Sequence, residues 1–213
     1  MTTKRMIALA ACVILPVLSS MAAVDPAMQD EVRLARLIYD NSSGEKAITI
    51  FEYNEKGQND RAIWKLEDGS RYSLNLYAYD EKNNLIRKER EYSDHKNTVQ
   101  LYKYDQLNRL ISEEFVLQDT SRGISTFEYD DKNQLVLIHC RAYNGWINGL
   151  IKIYYLENGL REKGELIQQE RVVAKIHYGY DEERHMTSEI WEFTSGWRQS
   201  FIYDYEKPQA GAK

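Results

Sequence analysis

Cysteine, proline and long apolar runs are what this 213-residue chain has least of. It holds two cysteines, Cys12 and Cys140, and three prolines. One cysteine falls in a leader-like segment, so no disulfide framework can be built. Beyond the first twenty or so residues, no stretch approaches the roughly 20 apolar residues that a membrane-spanning helix needs. A basic excess is missing too. Against 28 Lys and Arg stand 33 Asp and Glu, for a net charge of −5. Nucleic acids and anionic membranes select basic patches, so neither is an expected partner. The four histidines, His95, His139, His177 and His185, form no HxxxH or HExxH motif, and no zinc ligand set results. There is no glycine-rich phosphate loop and no nucleophile-elbow serine. His139 and Cys140 are adjacent, but neighbours on a strand point to opposite faces. The expectation is no catalytic residue, no metal and no cofactor.

The first residues read as a signal peptide. Lys4 and Arg5 precede an apolar run from Met6 to Leu18, and Ser20-Met21-Ala22 supplies the small residues of a cleavage site. Cleavage after Ala22 removes two positive charges and takes the net charge to −7. Leu9-Ala10-Ala11-Cys12 also matches a lipobox, although the apolar run continues past Cys12. The expected layout is a signal peptide over 1–22, one repeat domain over 23–206 and a disordered tail over 207–213. Export to the periplasm or the exterior follows, with lipidation at Cys12 as the lesser route. Cys140 then remains as a buried small hydrophobe, an intermolecular bridge or a reactive thiol.

What is abundant is tyrosine, 16 residues of it, and it recurs with a period. YKYDQLNRLI from Tyr102 has copies in YAYDEKNNLI from Tyr77, FEYDDKNQLV from Phe127 and YGYDEERHMT from Tyr178. Weaker copies start at Phe51, Ile153 and Phe201. The anchor tyrosines are Tyr53, Tyr79, Tyr104, Tyr129, Tyr155, Tyr180 and Tyr203, at spacings of 26, 25, 25, 26, 25 and 23. A fixed period of this length marks a repeat architecture.

Each unit reads as a β-hairpin. The anchor ends a strand, and four residues later come Gly57, Asn83, Asn108, Asn133 and Gly159, types that accept a left-handed backbone at least cost. Arg184 holds the same place in the sixth copy and departs from that requirement. Asp80, Asp105, Asp130, Asp181 and Asn54 follow the anchors, where a short acceptor can cap the turn. Leu85, Leu110, Leu135 and Met186 open the return strands. Along those strands Leu85, Arg87 and Glu89 share a face, as do Ile86, Lys88 and Arg90, so alternation does not separate apolar from charged. The fold expected is all-β: an antiparallel meander of about seven hairpins of ~25 residues, forming a twisted or curved extended sheet.

The Tyr-x-Tyr-Asp, turn, Leu pattern over about residues 51 to 205 resembles the YD repeat of RHS-type bacterial proteins. Asn144 to Lys163, with YNGWING and YYLENG, is loosely similar to MORN-type hairpin repeats. The resemblance implies a β-repeat sheet and an exported location. The array is short, the period longer than that family's, and no catalytic residue carries over.

Function is left to surfaces. Tyr143, Trp146 and Trp197 flank glycine-bearing loops at one sheet edge and are the expected ligand contacts. The leading reading is a non-enzymatic exported module binding a protein or glycan. Alternatives are a structural module self-assembling through sheet edges and, more remotely, a hydrolase.

Overall fold

The computed structural model describes residues 32–93, 96–117, 120–142 and 148–207. The signal-peptide expectation, Cys12 and the 208–213 part of the tail lie outside the described residues. The first half of the chain forms β1 (Arg33–Asn41), β2 (Lys46–Tyr53), β3 (Asn59–Leu66), β4 (Tyr72–Tyr79), β5 (Leu85–Tyr92), β6 (Thr98–Tyr104) and β7 (Leu110–Leu117). The second half forms β8 (Thr120–Tyr129), β9 (Leu135–Ala142), β10 (Gly149–Tyr155), β11 (Arg161–Gln168), β12 (Arg171–Tyr180), β13 (Met186–Phe193) and β14 (Arg198–Glu206). Each strand pairs antiparallel with the next, and no helix occurs among the described residues.

The all-β antiparallel expectation holds, but the open meander does not. β1 pairs with β14 from Arg33 opposite Glu206 to Asn41 opposite Gln199, and the sheet closes into a 14-stranded barrel. Every hairpin contributes similar twist and coil, so equivalent units carry the sheet round in one sense until its first and last strands meet. Closure also removes the unpaired edges that an open array would have to protect.

Closure follows the repeat. Each anchor tyrosine stands opposite the residue that opens the next strand, and one extra residue follows as a bulge. Tyr79 faces Leu85 and Ala78 faces Arg87, leaving Ile86 over; Tyr104 faces Leu110, leaving Ile111 over. The same irregularity occurs after Tyr53, Tyr129, Tyr155 and Tyr180. At the seam Tyr205 faces Leu34 and Asp204 faces Arg36, leaving Ala35 over. The seam thus reproduces the other six junctions without a covalent turn. Tyr205, rather than the expected Tyr203, occupies the seventh anchor place, and the last spacing becomes 25.

The bulge explains why alternation failed along the return strands. It shifts the inward phase by one, so the wall's inner face is met at the opener and at three and five residues beyond it. In β5 those residues are Leu85, Lys88 and Arg90; in β7 they are Leu110, Glu113 and Phe115. All but the half-buried Leu85 are buried. Trp191, Phe201, Ile138, Ile151, Leu166 and Ile176 are almost wholly buried and fill the interior. The outward positions include exposed charges paired across strands, as in Arg36 with Asp204, Arg61 with Glu52, and Arg87 with Glu89 along β5.

Candidate functional site

The barrel has two unlike ends. At one end lie the six tight turns. Asp105 Oδ1 accepts the N–H groups of Leu107 at 2.8 Å and Arg109 at 2.9 Å. Asp80, Asp130 and Asn54 do the same in their own turns, and Asp181 accepts from His185 N–H at 2.8 Å. These bonds hold the carboxyls of Asp80 (chiefly through the Asn84 amide) and Asp105 (chiefly through the Arg109 N–H) below the usual range. Acceptors committed to their own backbone are turn caps rather than calcium ligands. Gly57, Asn83, Asn108, Asn133, Gly159 and Arg184 all take positive φ, between 59° and 84°. Arg184 does so at 70° despite its side chain, and its guanidinium donates to Asn158 O at 2.6 Å.

Neighbouring turns are joined to each other. Gln58 Nε2 donates to Asn83 Oδ1 at 2.9 Å, Asn84 Nδ2 to Asn108 Oδ1 at 3.4 Å, and Arg109 Nη1 to Asn133 Oδ1 at 3.0 Å. Beneath them the anchor tyrosines form a ring. The hydroxyls of Tyr53, Tyr104, Tyr129, Tyr155 and Tyr205 donate to the carbonyls of Leu34, Leu85, Leu110, Leu135 and Met186 at 2.8–3.0 Å. Tyr180 accepts instead from Arg161 N–H at 3.0 Å. Burial pushes the phenols of Tyr79, Tyr104, Tyr129 and Tyr205 up to about 12. Most polar groups of this end are satisfied from within, with Asn59 Oδ1 opposite Tyr53 buried and unpartnered.

The interior behind the ring is chemically divided. The seven positions three residues past each opener are Leu37, Ala62, Lys88, Glu113, Ile138, Gly164 and Glu189, all buried. Four of them follow the apolar rule. Lys88 and Glu113 break it on β5 and β7, with Gln100 of β6 between them donating to Glu113. Glu189 breaks it on β13, and Arg161 takes the leucine place at the start of β11. Trp191 Nε1 donates to Glu189 Oε1 at 2.6 Å, and the Arg161 guanidinium lies 5.7 Å from the Tyr178 ring. Burial pushes the Glu189 carboxyl up to about 7 against the pull of Trp191 and Arg161. Burial raises Glu113 likewise, opposed by Gln100 and Lys88.

A cavity of about 30 Å³ opens between β14 and β5. Its polar lining comes from Trp64, Asn75, Lys88 and Arg90, with Thr49 and the Tyr39 and Tyr77 rings; Leu37, Phe51 and Phe201 complete the wall. Arg90 Nε donates to Asn75 Oδ1 at 2.7 Å, and Asn75 Nδ2 donates to Ala62 O at 3.1 Å. Among the described residues no group of three or more His, Cys, Asp or Glu could hold a metal. Cys140 is buried and has its thiol pushed up to about 12, chiefly by burial, with Ser125 opposing and the nearby Glu113 carboxyl adding to the rise.

The other end carries connections of unequal length. Trp197 lies there, half-buried, between β13 and β14; its indole N–H is buried with no hydrogen-bond partner. Its loop is tied to the β1–β2 connection, since Ser42 N–H donates to Arg198 O at 2.8 Å and Arg198 N–H to Ser42 Oγ at 3.1 Å. Tyr143 and Trp146 lie outside the described residues. Sequence reading missed Lys88, Glu113, Arg161 and Glu189. The signal was present: with the copies superposed on the anchors, these are charges at repeat positions that are otherwise apolar.

No family model matches the chain, and no curated protein does. Among solved structures, the chain is similar to a porin-like protein from Bacteroides uniformis, with TM-score 0.52 and 10% identity over 81% of this chain and 96% of that one. The likeness is one of fold alone. A second similarity, to TcdB2-TccC3, has TM-score 0.24 and 12% identity over 79% of this chain and 15% of that one, too low to carry an argument. The YD-repeat resemblance therefore rests on the motif.

Proposed function

We propose that the protein is an exported, non-enzymatic β-barrel module that works in an aqueous compartment and binds a protein or glycan at its loop end. The observation that carries this reading is the Trp197 indole, half-buried beside the β1–β2 connection with its N–H left without a hydrogen-bond partner, whereas the anchor tyrosines Tyr53, Tyr104, Tyr129, Tyr155 and Tyr205 at the opposite end spend their hydroxyls on the barrel's own carbonyls. An indole that is half-buried and polar at one edge is a common anchor for sugar rings and peptide backbones.

The outer wall supports the aqueous setting. Arg or Lys facing lipid near the midplane costs about 2–4 kcal/mol each. Lys152 and Lys175 face outward midway along β10 and β12, while Arg61, Arg87, Lys103 and Lys163 face outward nearer strand ends, where the cost falls to about 0–1 kcal/mol. The similarity to a porin-like protein thus extends to strand arrangement and not to a lipid-facing surface. Self-assembly through sheet edges loses its basis, because closure leaves no strand edge unpaired along the described barrel.

The test is a glycan array and a peptide library probed with the wild-type protein and with Trp197→Ala. Binding that Trp197→Ala abolishes, and that Asp105→Ala at the turn end leaves intact, supports the reading. Binding lost only on the turn-end change would overturn it, as would none on either library.

A further inference from the structure

We infer that the cavity between β14 and β5 is a binding site for one small monovalent anion, of chloride to formate size. The argument starts from what lines it. The Trp64 indole, the Lys88 ammonium and the Arg90 guanidinium are donors with no acceptor capacity. The amide acceptor in the lining, Asn75 Oδ1, is taken by Arg90 Nε at 2.7 Å, the Asn75 amide donates to Ala62 O, and Tyr39 Oη accepts from Asn41 Nδ2 at 2.8 Å; the hydroxyls of Thr49 and Tyr77 can donate or accept. No carboxylate lines the cavity. A ligand there meets three groups that only donate and hydroxyls that can turn to donate, which favours an acceptor.

Independently, Trp64 lines this cavity and its Nε1 is buried without a hydrogen-bond partner, whereas buried donors in folded proteins are nearly always satisfied. The sides formed by Leu37, Phe51 and Phe201 exclude competing water and strengthen the attraction of the two cations. Size selects among anions. A volume of about 30 Å³ holds one or two waters, so a halide or a three-atom carboxylate fits and sulfate or a sugar phosphate does not. Water alone is the competing occupant. Lys88 breaks the apolar repeat at this point, and Arg90 follows two residues later on the same inward face. The two buried charges of β5 are thus placed where the cavity lies.

The full chain, dialysed into gluconate buffer, is titrated with sodium chloride and separately with sodium formate at constant ionic strength. Thermal unfolding and chloride-35 line width are followed. A saturable rise in Tm and a saturable line broadening are expected. Trp64→Phe should weaken binding by about tenfold or more, Lys88→Met should do the same, and Lys175→Met on the outward face of β12 should leave it unchanged. Absence of saturation in the wild type would overturn the inference, as would equal affinity in Trp64→Phe. Should the variants fail to fold, a bromide soak of wild-type crystals decides: an anomalous peak among Trp64, Lys88 and Arg90 supports the site, and a cavity without one refutes it.

Discussion

Replacing Glu189 by glutamine should change how stability depends on pH, not merely its size. Glu189 is wholly buried and accepts from Trp191 at 2.6 Å. Its carboxyl titrates near 4.5 when solvated and at about 7 in the barrel, chiefly because burial penalises the charged form. A raised folded-state pKa contributes stability that is fully present below the solvated value and is lost as pH rises through the folded one. At about 1.4 kcal/mol per pH unit across that window, the loss from this one group is roughly 3 kcal/mol. Glutamine keeps the acceptor for Trp191 and never ionises. Urea unfolding at about pH 5 and about pH 7.5 should therefore show the wild type losing roughly 2.5 kcal/mol relative to Glu189→Gln between the two conditions, since pH 5 already lies above the solvated value. Other titrating groups cancel in the difference between the proteins. A wild-type-minus-variant gap that is the same at both pH values would refute the account of a buried, burial-raised carboxyl beside Arg161.

Tyr104→Phe removes a hydroxyl bonded to Leu85 O at 3.0 Å and should cost about 1 kcal/mol in urea unfolding; Tyr205→Phe should cost as much, and Tyr205→Phe behaving as silent would undo its assignment as the seventh anchor. Ile151→Ala, at a fully buried inward position, should cost about 2–5 kcal/mol, whereas Ile202→Ala on the outward face of β14 should cost under about 1 kcal/mol. Gly149 has φ 138°, and a Cβ there would lie 2.3 Å from Ile167 O, so Gly149→Ala should lower Tm measurably more than Gly69→Ala. Cys140, with its thiol raised to about 12, should resist a thiol reagent in the folded protein and react on unfolding; peptide mapping that finds it labelled under native conditions would contradict its burial.

The repeat made much of this fold legible. Leu85–Tyr92, Leu110–Leu117 and Met186–Phe193 are strands with the boundaries that the turn signals imply. Positive φ at Gly57 and at the asparagines is what those residue types permit. Closure was not legible, because pairing of β1 with β14 depends on accumulated twist rather than on any local pattern. The anchor at the chain's last repeat was obscured by Tyr203-Asp204-Tyr205, where two aromatic-x-Tyr pairs overlap; only the seam register separates them. The interior charges were hidden by the bulges, which displace the inward phase by one residue and make Lys88 and Arg90 look like part of a mixed surface. Loop-end contacts were read from residue type beside glycine, and only Trp197 of the three falls among the described residues.

The seam sets the order in which this molecule can be made. Thirteen of the fourteen strand pairings join neighbours in the chain, and hairpins of that kind form in microseconds. The fourteenth joins partners as far apart as Arg36 and Asp204, 168 positions along the sequence, and cannot begin until β14 exists. Up to that moment β1 and the newest strand each hold an open row of N–H and C=O groups. A growing or truncated chain is thus a sheet with two adhesive margins, able to recruit a second chain in place of its own last strand. Solubility is gained late and all at once, so loss of the final nine-residue strand should be felt first as aggregation rather than as a softer barrel.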